Sequence, residues 1–187
     1  MLKINNLVGM GSLLTSAPPT IFHAVITSPT SYVLGSGWNG YTMVLKYPTS
    51  VFSGAFGSFI KLTLIGAPSS STGSSFNNVT ISQVATSGNA YDSLTTPTAI
   101  TFSGSASGTI GTNLSITSDE IAFAPVTSTA VLIAINVGSL GDVAKTNYSA
   151  ATTYYHSALQ EAATTARTAG YSPLGGFSYW IVKLEAA

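Results

Sequence analysis

Apolar and polar residues alternate in short runs along most of the chain, and clusters of Gly, Ser, Asn, Thr and Pro separate the runs. Segment 58–67, SFIKLTLIGA, sets Ile60, Leu62 and Leu64 against Phe59, Lys61 and Thr63. A period of two predicts a half-buried strand, with Phe59 and Ile65 making its second side partly apolar. The same reading predicts strands over 20–27 (TIFHAVIT), 41–47 (YTMVLKY), 76–85 (FNNVTISQVA), 98–104 (TAITFSG) and 113–123 (NLSITSDEIAF). Segment 129–138, TAVLIAINVG, is apolar on both faces, with Val131, Ile133, Ile135 and Val137 opposite Leu132 and Ala134. A strand of that kind belongs in the middle of a sheet covered on both sides. The last strand, 176–186, sets Tyr179, Ile181 and Lys183 against Trp180, Val182 and Leu184.

Helical signals occur once. Segment 157–170, SALQEAATTARTAG, opens with Ser157 and Gln160 at capping-box spacing and closes at Gly170, with Pro173 beyond. A short, alanine-rich helix is expected there. About eight or nine short strands with turn clusters between them predict an all-β fold, an antiparallel jelly-roll-like β-sandwich over residues 20–187. Residues 1–19 lack a clean strand pattern and end at Pro18 and Pro19. They are read as an extended N-terminal arm that docks through Ile4, Leu7, Val8, Leu13 and Leu14. A cleaved signal fits less well, because Asn5, Asn6, Gly9 and Gly11 break the apolar stretch and no A-x-A site follows.

Charge sharpens this picture. Of 187 residues, 45% are apolar and only 6% charged, with a net charge of zero, where about 25% charged is ordinary. Such a chain can bury a core, but Ser, Thr, Asn and Gly must cover its surface. Little electrostatic repulsion then keeps copies apart. The six basic residues, Lys3, Lys46, Lys61, Lys145, Arg167 and Lys183, are scattered singly, so no phosphate-binding patch is expected and nucleic acid is excluded as a partner. The absence of cysteine rules out disulfides and thiolate metal sites. No apolar run reaches the ~18 residues of a membrane-spanning helix, so membrane insertion is not expected.

Catalytic patterns are missing. GSASG (104–108) has the composition of a nucleophile elbow, but its third residue is Ala106 and strands are predicted on both sides, so a hairpin or bulge is expected. His23 lies in a predicted apolar strand and reads as a packed histidine. His156 has no partner spaced for zinc, and its possible acid–base pairing with Glu161 competes with a simpler role beside a helix cap. Asp119 and Glu120 are adjacent in a predicted strand, so they should face opposite ways. No D-x-D-x-D-G calcium loop and no phosphate-cradling glycine loop occur. No catalytic residue, metal ligand or cofactor is assigned. What remains is aromatic: Trp38, Tyr154 and Tyr155, flanked by predicted loops, are the candidate ligand-binding residues.

Segment 76–138, with ITFSGSASGTI, ITSDEIAF and Pro125 ahead of AVLIAINVG, resembles the non-catalytic β-sandwich module that precedes the catalytic domain in some bacterial GDSL/SGNH hydrolases. That resemblance covers about a third of the chain and implies a carbohydrate-binding jelly roll without its enzyme. The uncharged sandwich with a NNLVGMGS arm is also similar in style to bacteriophage virion proteins, such as capsid decoration proteins, head fibres and small tail components. The expectation is a non-enzymatic virion structural protein and homo-oligomer, anchored to other virion proteins by its arm and able to touch a host surface glycan. The alternative is a secreted or surface carbohydrate-binding module.

Overall fold

The computed structural model describes residues 22–27, 31–52, 57–126, 128–157 and 160–187. Ile4, Leu7, Val8, Leu13 and Leu14, expected to form a docking arm, lie outside the described residues. The described residues are all-β, with one three-residue 3-10 turn at Thr49–Val51. Thirteen strands follow in order: β1 His23–Thr27, β2 Val33–Gly35, β3 Thr42–Tyr47, β4 Phe59–Ile65, β5 Ser74–Gln83, β6 Thr98–Ile100, β7 Gly108–Ile110, β8 Ser115–Thr117, β9 Ile121–Ala122, β10 Val131–Gly141, β11 Val143–His156, β12 Ser172–Tyr179 and β13 Ile181–Ala186.

They form two antiparallel sheets. The smaller runs β1-β13-β4-β8, with β9 also on β4; the larger runs β12-β11-β3-β10-β5-β6, with β2 on β11 and β7 on β5. A single core joins the two. Val25, Ile26, Ile60, Leu62, Leu64 and Leu184 from the smaller sheet meet Met43, Leu45, Ile81, Ile133, Ile135 and Val137 from the larger. This is a sandwich-like arrangement, in which alternate residues of each strand face inward.

β10 is central as its composition predicts. Ile133 pairs with Leu45 on one side and Ile81 on the other. Its outward residues Leu132 and Ala134 are also buried, in a second cluster with Val44, Tyr91, Ala162 and Tyr171. Loops around Tyr91 and over 160–171 therefore cover the outer face of the larger sheet.

The sequence-based expectations need four corrections. No helix forms among the described residues of 157–170, where residues 160–170 are turns, bends and irregular chain. Side chains there satisfy backbone groups that a helix would pair: Glu161 accepts from Thr168 N, and Arg167 donates to the carbonyls of Glu161 and Ala162. The expected single strand over 176–186 is two strands in different sheets, and the chain crosses between them at Trp180, whose φ is 60°. Burial of its indole, 0% exposed, holds this unusual backbone in place. His23 is exposed in β1 rather than packed in the core. Asp119 and Glu120 lie between β8 and β9 rather than within one strand.

Candidate functional site

The GSASG stretch begins within a tight turn. Phe102 and Ser105 exchange backbone hydrogen bonds of 2.8 and 3.1 Å, and the residues between them, Ser103 and Gly104, have φ of 52° and 80°. Positive φ at both central positions makes a tight hairpin turn. The Asp119 carboxylate holds this turn by accepting from Thr101 Oγ1 (2.6 Å), Gly104 N (2.8 Å) and Ser103 N (3.0 Å). These bonds, that from Thr101 foremost, keep its carboxyl below the usual range. Glu120 turns away to Lys61, 4.0 Å off.

No group of three or more His, Asp or Glu among the described residues is placed to hold a metal ion. His156 and Glu161 do not hydrogen-bond to each other. His156 Nδ1 donates to Ser157 O at 2.7 Å, while the Glu161 carboxylate accepts from Thr168 and from Tyr171 Oη at 3.1 Å. Burial pushes the Tyr171 hydroxyl well above its ordinary pKa. That shift fits a phenol that stays neutral and donates.

The candidate aromatics divide. Tyr154 and Tyr155 lie near the end of β11, and adjacent residues of a strand face opposite ways. Tyr154 packs toward Tyr91 on the covered outer face, 5.4 Å between centroids. Tyr155 meets Trp38 edge-on at 5.2 Å. All three are half-buried. The structure thus brings Trp38 and Tyr155 together and leaves Tyr154 apart.

Tyr41, His156, Gly170 and Ser172 complete the site, although sequence reasoning did not join them to it. The 38–41 turn is fixed by Tyr41 N donating to Trp38 O (3.1 Å), Trp38 N to Gly141 O (3.1 Å) and Val137 N to Tyr41 O (2.8 Å). Tyr41 then stands beside Tyr155, 6.2 Å between centroids, with Trp38 edge-on to it at 5.2 Å. Behind them, Tyr179 lies 5.7 Å from Trp38 and is fully buried, and burial raises its pKa to about 12. In front is a shallow cleft of about 130 Å³ lined by Tyr41, Tyr155, His156, Ser157, Gly170 and Ser172. Its lining carries no Lys, Arg, Asp or Glu.

No protein-family model matches the chain, and the search of curated proteins finds no match.

Proposed function

We propose that the chain is a non-enzymatic structural protein that works as one copy in a repeated assembly. The setting proposed is a bacteriophage virion, as a capsid decoration, head fibre or small tail component anchored by residues 1–19. A jelly-roll connection of the strands belongs to this proposal. The observation that carries it is how completely the few charges are used internally. Among the described residues, every charged side chain except Lys46 already engages another group of the chain.

Lys61 sits over the Phe22 ring and near Glu120, Lys145 covers Phe177, and Lys183 pairs with Glu185 at 3.0 Å. Asp142 accepts from Ser70 Oγ at 2.8 Å, Asp92 accepts from Arg167 N at 2.9 Å, and Arg167 is itself buried. The surface that remains is neutral and hydroxyl-rich, with little to repel an identical neighbour. Exposed Val33 and Leu34 on the short strand β2, 61% and 42% accessible, are apolar surface that a neighbouring copy would cover.

Native mass spectrometry of the full chain beside a form lacking residues 1–19 tests the proposal. A closed oligomer, a trimer or larger, that changes when the arm is removed is expected. A monomer in both forms contradicts self-assembly. The aromatic cluster around Trp38 favours the second reading, a secreted or surface carbohydrate-binding module.

A further inference from the structure

We infer that the cleft between Tyr41, Tyr155 and His156 is a binding subsite for one neutral sugar ring. The inference deepens the carbohydrate reading but does not depend on where the chain works. Tyr155 and His156 are neighbours in β11 and face opposite sides of the sheet, so they meet the cleft at the strand's end.

On the Tyr155 side, the phenol rings of Tyr41 and Tyr155 stand side by side, tilted 39°. Trp38 holds both from behind, edge-on at 79° and 83°. Rings fixed in this way lose little conformational entropy when a ligand binds, because their rotamers are already set. Both tyrosines line the cleft, and a phenol ring can pack against the C–H face of a sugar.

On the outer side of the sheet, His156 packs against Tyr171, 5.3 Å between centroids. Its Nδ1 faces the Ser157 carbonyl at 2.7 Å. A carbonyl can only accept, so Nδ1 carries the proton, and in the neutral ring Nε2 is left as an acceptor. Nε2 lies beside Gly170, and a Cβ added there would sit 3.7 Å from it. Gly170 has φ of +104°, a conformation that side chains rarely adopt, so the position stays bare and that flank of the cleft stays open. The hydroxyls of Tyr41, Tyr155, Ser157 and Ser172 form no hydrogen bond within the described residues and can meet sugar hydroxyls.

The lining selects the class of ligand. With no charged side chain in the cleft, a phosphate, carboxylate or ammonium ligand would lose its hydration without an ionic partner. A neutral polyol with one apolar face loses least. At about 130 Å³ the cleft is small and open, so it suits a single ring rather than a chain of them. Affinity for one ring should be roughly millimolar. Copies displayed together would raise it by avidity.

Ligand-observed saturation-transfer NMR on the full chain, with the methyl glycosides of glucose, galactose, mannose and N-acetylglucosamine, tests this directly. At least one should bind saturably with a roughly millimolar dissociation constant. Tyr155→Ala should abolish the signal. Should that variant fail to fold, His156→Phe keeps a ring against Tyr171 while removing the acceptor, and it should weaken binding at least about fivefold. Absence of saturable binding by all four glycosides up to about 100 mM overturns the inference. So does wild-type affinity in folded His156→Phe. Neither result bears on the oligomeric state, so this inference and the assembly proposal can fail separately.

Discussion

Arg167 shows how a buried charge can be held by hydrogen bonds without a direct salt bridge among the described residues. The residue is 4% exposed and forms no salt bridge among the described residues; its guanidinium donates to Ala162 O (3.0 Å), Glu161 O (3.2 Å), Ser93 Oγ (3.2 Å) and Tyr91 O. Burial, the largest influence, lowers its pKa, while the nearby Tyr171, Asp92 and Glu161 oppose that shift. These bonds tie the loop around Tyr91 to the loop over 160–168. Arg167→Ala leaves several carbonyls without a donor and should cost about 2–4 kcal/mol in chemical denaturation. Lysine, a point donor without the planar fork, should recover only part of that loss. Asp119 acts at the surface. Its folded pKa lies below the ordinary 3.8, so its contribution is complete above the unfolded value. It is lost as pH falls through the lowered folded value. Thermal melts should therefore show an acid-side decline that is smaller in Asp119→Asn, and equal declines in the two proteins would contradict the carboxylate's hold on the turn.

At the scale of elements, β10 is buried on both faces, and this makes a numerical prediction. Ile133→Ala opens the core between the sheets, and Leu132→Ala opens the cluster beneath the covering loops. Each should cost about 2–5 kcal/mol. A Leu132→Ala cost under about 1 kcal/mol would mean that the loops cover this face only loosely. β10 was legible in the sequence because aliphatic residues occupy both sides of its period. β11, the longest strand, was not. Its KTNYSAATTYYH run has little contrast between apolar and polar positions, and its pairing with β2, β3 and β12 comes from distant segments. The helix expected from Ser157 onward rested on local capping chemistry, and tertiary hydrogen bonds overrode it. Thr42 Oγ1 accepts from Glu161 N at 3.0 Å, and Asn136 Oδ1 from Ala162 N at 2.9 Å. The candidate site was half legible. Trp38 and Tyr155 stand out as aromatics, but the strand alternation that separates Tyr154 from Tyr155 needed β11 to be recognised. Gly170 and Ser172 join the cleft only through the turn that brings β12 beside β11.

At the scale of the whole molecule, the scarcity of charge links fold to proposed role. An ordinary soluble domain keeps many ions on its surface, and these set long-range forces between copies. Here the charges are few, and those described mostly engage other groups of the same chain, so contacts between copies would have to be made by apolar and hydroxyl groups. Association of that kind responds little to screening. Sedimentation of the full chain across a range from about 0.05 to 1 M salt is therefore the most direct test. One closed oligomer, unchanged across the range, is predicted. A monomer throughout, or an oligomer that salt dissolves, would contradict assembly through a neutral surface.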